Sequence, residues 1–428
     1  MSTTITRLCA RDIRFRTSQG GHGSDAVHKD PDYSCAYVVL ETDTTGLAGQ
    51  GIAFTLGRGN ELVCAGVTAL SHLVVGKTLE SIVADMRGFC RELTNDSQLR
   101  WVGPDKGVIH MSAAAIINAV WDLYGRREGK PVWKLLADMP PRQLVDCVDF
   151  RYISDALPED DAVALLEEHA STKTQREQEL VRVGLPSYTT SAGWLGYSDD
   201  DVRQRCEQYM ARGWTWFKMK VGFDDEQNVR RARLIRETIG DEGVIMIDAN
   251  QAWEVDETIA HIRLLAKYNL LWIEEPTACD DVLGHARIAR AIAPIGVACG
   301  EAISNRVLFK QFMQAGAMQF CQIDSCRLAG VNENLAVMLM AAKFGIPVCP
   351  HAGGIGLGNY VQHLSAINYI AIAPSLDKVV IEYSDHLNEH FVEPLQFEGA
   401  RYRLPTGAGY SIKMKPKSLD EHEYATPC

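Results

Sequence analysis

From residue 187 to residue 383 short apolar runs alternate with helix-like stretches, and this alternation constrains the fold more than any other feature of the chain. The apolar runs are SYTTSA (187–192), TWFKMKV (215–221), VIMIDAN (244–250), LLWIEEP (270–276), GVACGEA (296–302), QFCQIDSC (319–326), IPVCPH (346–351) and VVIEY (379–383). They recur every 23 to 32 residues or so, roughly the length of one strand and one returning helix. Strands joined by such crossovers run parallel, and a set of this size predicts a closed (β/α) barrel. An open doubly wound sheet is the rival, and it normally carries a glycine-rich phosphate turn after its first strand. No GxGxxG stands there.

The flanking segments lack this repeat. YVVLETD (37–43) and GIAFTLG (51–57) read as neighbouring strands, and 61–95 and 111–125 read as helices. An antiparallel sheet followed by helices predicts an α+β unit over 1–145. Residues 146–186 contain the highly charged stretch PEDDAVALLEEHASTKTQREQELVRV, read as a solvent-facing helical connection. The barrel is assigned to 187–384. The polar remainder, 385–428, is expected to return and pack on the first unit.

Barrel active sites are built at the C-terminal ends of the strands. Here those ends carry Lys218 and Lys220, Asp248 and Asn250, Glu274 and Glu275, Glu301, Asp324, His351, and Glu382. A single acidic residue at such a place is often a helix cap. A series falling at the ends of the apolar runs, before the helices begin, is not explained by capping. Asp248, Glu274 and Glu301 come from consecutive strands about 4.8 Å apart and would share one arc. Three carboxylates so placed repel one another unless cationic charge lies between them. All-oxygen ligation suits Mg²⁺, or Mn²⁺, and does not suit zinc. A salt-bridged or protonated carboxylate cluster is the alternative.

Lys218 and Lys220 are two apart on one strand and so face the same side. Taken alone they would be ordinary surface lysines on an edge strand. Beside a cation site, burial and like charge are expected to lower the pKa of Lys220 and make it a general base. His351, in CPHAGGIG, would work from another side, with Asp324 one strand earlier accepting its ring N–H and fixing the tautomer. Glu382 closes the ring. One base on each side of a bound carboxylate suits proton abstraction at the neighbouring carbon, given electrostatic stabilisation of the developing charge.

The bulk numbers narrow the function class. The chain has 428 residues, a net charge of −12, 46% hydrophobic and 23% charged residues. That balance speaks against a nucleic-acid or anionic-membrane partner and leaves a small-molecule ligand. The twelve cysteines show no metal-binding spacing and read as reduced thiols. MSTTITRLCARDIRF reads as neither a signal peptide nor a transit peptide, so a cytoplasmic location is expected. A homo-oligomer is expected of a large barrel with a cap.

The lysine pair, the three carboxylates, the Asp324/His351 pair and Glu382 together resemble the mandelate-racemase subgroup of the enolase superfamily. Further stretches resemble the L-fuconate dehydratases and fungal-type L-galactonate dehydratases within it: GSDAVHKDPDYS (23–34), NDSQLRWVGPDKGVIH (95–110), YTTSAGWLGYSDD (188–200) and WIEEPTACDDVLGHA (272–286). The resemblance implies a (β/α)7β barrel under an α+β capping domain. It implies Mg²⁺ on Asp248, Glu274 and Glu301, and an acid-sugar substrate. Lys220 would take the C2 proton, and His351, held by Asp324, would protonate the departing 3-hydroxyl. Lys218 and Glu382 would hold the substrate carboxylate. Gly23, Ser24, Asp25 and Tyr33 would close over the mouth, and Asn250 would join the substrate contacts.

Ala252, Ala302 and LGNYVQH (357–363) depart from the usual L-fuconate dehydratase pattern, which leaves the sugar acid open. Racemisation or epimerisation on the same residues is an alternative outcome, and a catalytically silent metal-binding barrel a third.

Overall fold

The structure is a computed structural model, and it describes residues 2–425. Its first unit is a three-stranded antiparallel sheet, β1 (Ile5–Arg14), β2 (Ser34–Thr42) and β3 (Ala48–Thr55), in the order β1-β2-β3. The helix Gly107–Glu128 covers it, with most of its residues buried, as a helix clamped between a sheet and a second unit must be. Polar side chains fasten this cap to the barrel. Tyr360 accepts from Ile52 N at 2.7 Å, and Trp121 Nε1 donates to Asn332 Oδ1 at 2.8 Å.

The barrel strands are β4 (Leu185–Gly193), β5 (Trp216–Lys220), β6 (Val244–Asp248), β7 (Leu270–Glu274), β8 (Gly296–Cys299), β9 (Phe320–Cys321) and β10 (Ile381–Tyr383). All neighbouring pairs are parallel, and β10 pairs with β4 to close the ring. The seventh position is a single bridge, Cys321 with Val348. IPVCPH was expected to be a full strand, but Pro347 and Pro350 have no N–H to give a ladder. QFCQIDSC is likewise shorter than expected, because pairing stops at Cys321. The architecture is (β/α)7β: the pattern of runs predicts the closed barrel, and the resemblance implies this form of it.

Inside the barrel Tyr188, Met246, Trp272, Ala298, Phe320, Cys349 and Val380 form a separate buried layer. It floors the ring and keeps the strand tips above it in a water-poor setting. The chain then leaves β10 and lays β11 (Phe397–Glu398) and β12 (Arg401–Tyr402) against the start of β4. From there it returns to the cap, where Glu423 bridges Ile13 and its carboxylate takes the Arg11 guanidinium at 2.7 Å.

The charged stretch is exposed over much of its length and docks by a narrow face. Its helices Glu159–Glu168 and Lys173–Val183 bury Leu166 and Leu180. Arg176 is buried too, and its guanidinium donates to the carbonyls of Tyr369 and Ile370. The long aliphatic stem of an arginine permits such burial when its N–H groups are satisfied. Among the described residues no helix is long and apolar enough to cross a membrane.

Candidate active site

The strand register builds the site. Lys220 lies opposite Asp248, and Asp248 opposite Glu274, at the last paired positions of β5, β6 and β7. Lys218 and Lys220 both point into the ring and are 1% and 8% exposed, so neither is a surface lysine. β8 ends at Cys299, and Glu301 follows on an irregular turn. Gly300 makes that turn with a φ of +146°, and a Cβ there would lie 2.2 Å from the Gln322 carbonyl oxygen. One carboxylate oxygen each from Asp248, Glu274 and Glu301 falls within 4.8 Å of the other two.

Lys218 Nζ sits 2.6 Å from Glu274 Oε1, 2.8 Å from Glu382 Oε1 and 3.4 Å from Asp248 Oδ2. Burial disfavours its charge, but Glu274 and Glu382 outweigh that and hold its pKa well up. Gln322 Nε2 donates to the other Glu274 oxygen at 2.7 Å. Lys220 Nζ donates to Asp248 Oδ2 at 2.5 Å and to Asn250 Oδ1 at 2.9 Å. Burial pulls the Lys220 pKa down, but Asp248 in direct contact raises it above the ordinary lysine value, with Lys218 opposing less strongly.

His351 Nδ1 is 2.8 Å from Asp324 Oδ2. Its Nε2 lies 3.6 Å from Glu301 Oε2 and 3.9 Å from Glu382 Oε2. Burial pulls the imidazole down, but Glu301, the Asp324 bond and Glu382 push it up to about 10. The ring thus carries its proton at neutral pH. Asp324 is fixed in turn, since its Oδ1 accepts from Cys326 N and Arg327 N, each at 2.7 Å.

Part of this network opens on one cavity of about 300 Å³, the scale of a small polar ligand, while Lys218, Asp248 and Glu274 lie behind its wall. Lys220, Asn250, Glu301, Asp324, His351 and Glu382 border it from the barrel, and Gly23, Asp25 and Tyr33 from the cap. Gly23 has a φ of +76° and a Cβ there would lie 2.4 Å from the Tyr33 hydroxyl, so the loop lies flat on that ring. Ser24 is not on the cavity wall. Its hydroxyl donates to Gly21 O at 2.7 Å and accepts from Gly196 N at 2.9 Å, which ties the loop to the barrel. Thr190, Arg327, Phe54 and Met111 also line the cavity, and nothing in the sequence pointed to them. They arrive by docking of the cap and by strand tips without charge repeats. Ala252 and Ala302 stay off the wall.

The donor set accepts a hard divalent cation. It is all carboxylate oxygen, as Mg²⁺ or Mn²⁺ prefers. Burial and Asp248 push the Glu274 carboxyl up, with Lys218 opposing.

Comparisons with known proteins agree with this geometry. Residues 201–418 match the model described as enolase C-terminal domain-like. Residues 29–137 match the mandelate racemase / muconate lactonizing enzyme N-terminal domain. The chain is 56% identical over 423 residues to mitochondrial enolase superfamily member 1 of Homo sapiens, covering 98% of this chain and 96% of that one. The crystal structure of that human protein superposes with a TM-score of 0.98 at 55% identity, covering 99% and 97% of the two chains. L-galactonate dehydratase of Hypocrea jecorina is 50% identical over 426 residues, covering 98% and 94%. At 23% identity the fold is shared with L-talarate/galactarate dehydratase of Salmonella typhimurium, solved with Mg and L-lyxarohydroxamate (TM-score 0.76, 99% and 94% covered). The chain is a member of the enolase superfamily, with the capping domain of its mandelate racemase / muconate lactonizing branch.

Proposed function

We propose that this protein is an acid-sugar dehydratase that converts L-fuconate or L-galactonate to the 2-keto-3-deoxy acid. One observation carries the assignment: Lys220 and the Asp324-held His351 enter one cavity from different barrel strands, with three clustered carboxylates between them in strand order. The relative at 50% identity named L-galactonate dehydratase supports the substrate class.

Asp248, Glu274 and Glu301 would hold the cation, which we assign as Mg²⁺ on the donor chemistry. When bound it supplies Lewis acidity toward the substrate carboxylate. Lys218, held by Glu382 at 2.8 Å, supplies positive charge toward that carboxylate. Lys220 Nζ, once neutral, takes the proton from C2. Asp248 holds the Lys220 ammonium and is also one of the three donors, so its charge decides when Lys220 can act. His351 Nε2 gives its proton to the 3-hydroxyl as the C3–O bond breaks, and water leaves. The enol then takes up a proton at C3 to give the keto acid. Asp324 keeps the His351 Nδ1 proton in place throughout. The loop bearing Gly23 and Asp25, anchored by Ser24, shields the cavity from bulk water.

The test is a turnover screen with Mg²⁺ over C5 and C6 sugar acids, reading 2-keto acid release and deuterium uptake at C2. Keto acid from L-fuconate or L-galactonate is the expected result. Exchange or epimerisation at C2 without keto acid would overturn dehydration and keep Lys220 as the base. No product and no exchange on any acid would overturn both.

A further inference from the structure

Glu275 lies buried beside the acidic triad, and the chemistry above gives it no part. It is 2% exposed and has a φ of +40°, in the left-handed region that non-glycine residues seldom adopt. Asn250 and Gln251, just after β6, have φ of +44° and +63°. The chain therefore leaves two adjacent ligand-bearing strands in conformations that persist only where the surroundings hold them.

The Glu275 carboxylate supplies that hold. Its Oε2 accepts from Gln251 Nε2 at 3.1 Å, and its Oε1 accepts from Ala302 N at 3.2 Å. Gln251 N donates to Glu275 O at 2.8 Å, and Gln251 Oε1 accepts from Cys279 N at 3.4 Å. One side chain thus joins the turns after β6, β7 and β8, which carry Asp248, Glu274 and Glu301. The need is greatest for Glu301. It follows Gly300 beyond the end of β8, so no strand ladder sets its position. Besides Glu275, its segment is held by Arg327 Nε on the Glu301 carbonyl at 3.2 Å and by Ile303 N on Gly300 O at 3.1 Å. Glu275 does not line the cavity, so it acts through its neighbours and not on a ligand.

We propose that Glu275 is a positioning residue that sets the spacing of the three cation-binding carboxylates. The inference rests on the assignment of the triad as a cation site. It is tested with Glu275→Gln and with the double variant Gln251→Glu/Glu275→Gln. In the single variant a donor must face a donor: the new amide against Gln251 Nε2 or Ala302 N or, if Gln251 flips, Gln251 Nε2 against Cys279 N. In the double variant the pairing is restored with roles exchanged: the new amide donates to the new carboxylate and still accepts from Ala302 N. The Cys279 N–H keeps an acceptor as well.

Mg²⁺ affinity is measured by titration calorimetry without substrate, together with kcat and KM at saturating Mg²⁺. Glu275→Gln is expected to weaken Mg²⁺ by about 10- to 100-fold, the usual cost of losing a partner that orients metal ligands. It should lower kcat more than it raises KM. The double variant is expected to recover most of both. Wild-type Mg²⁺ affinity in the single variant would overturn the proposal. So would a double variant no better than the single one. Failure of the wild-type protein to bind Mg²⁺ would instead refute the cation assignment, and this inference with it.

Discussion

Asp324→Asn separates the two proton transfers. In the native site Asp324 Oδ1 accepts two backbone N–H groups, from Cys326 and Arg327, while Oδ2 serves His351 Nδ1. An asparagine has one acceptor oxygen, and the two backbone donors claim it. Its amino group then faces Nδ1 as donor against donor. The ring can keep that contact only by giving up its Nδ1 proton, which leaves a neutral imidazole with its proton on Nε2. Loss of one full charge about 4 Å from the imidazolium, at an effective dielectric near 20, removes about 4 kcal/mol. That corresponds to about three pH units. His351, pushed up to about 10 in the native site, would then titrate near pH 7 by that same arithmetic. The basic limb of the dehydration rate should move down by about three pH units. At pH 8 only about one ring in ten would then carry the proton, so the rate should fall about tenfold. Lys220 is untouched, so deuterium should still enter C2. Proton NMR in D₂O follows the exchange, and a carbonyl reagent follows the keto acid. A native pH profile, or equal loss of exchange and dehydration, would refute the division of labour between Lys220 and His351.

Three other outcomes follow from the same geometry. Mg²⁺ at 100 times its Kd should stabilise the protein by about 2.7 kcal/mol; thermal melts read this, and Asp248→Asn should abolish most of it. Ser24→Ala removes the hydroxyl that ties the covering loop to Gly196. At about 1–1.5 kcal/mol of lost hydrogen bonding, KM should rise about tenfold with a smaller change in kcat, in steady-state kinetics. Glu333 is the third case. Burial raises its carboxyl, but His110 at 2.7 Å and Arg306 at 3.0 Å lower it further, to below the usual range. Its folded pKa thus lies under the unfolded value near 4.3. The stability it lends is complete above that value and is lost as pH falls toward the folded pKa. Glu333→Gln should cost about 3–5 kcal/mol at pH 7, and denaturant melts should show the difference shrinking below about pH 4.

The barrel was legible because each βα unit repeats one simple pattern, and a buried strand must be apolar up to its tip. The charged tips were legible for the same reason: an ionisable residue closing an apolar run, as Asp248 closes VIMIDAN, is out of place for packing. The cap side of the site was far less so. Phe54 and Met111 reach the cavity through docking of β3 and the helix Gly107–Glu128, which leaves no local periodicity to read. The ends of QFCQIDSC and IPVCPH misled because single backbone bonds, such as His351 N to Ile323 O, continue there without regular strand pairing. Arg176 lies on the narrow docked face of a surface helix, where carbonyls of the segment Asn368–Ile372 satisfy it; a charged residue gives no sign of such burial in the sequence. The direct contact of Lys220 with Asp248 was not legible either, because it depends on the strand register and not on local sequence.

The account stands on Lys220 as the group that removes the C2 proton. The most direct test follows L-fuconate and L-galactonate in D₂O with Mg²⁺, comparing the native protein with Lys220→Met and reading C2 deuterium and keto acid together. The account predicts that the native protein yields keto acid, while the variant, still binding Mg²⁺, yields neither product nor exchange. Keto acid formed by Lys220→Met at the native rate would contradict it.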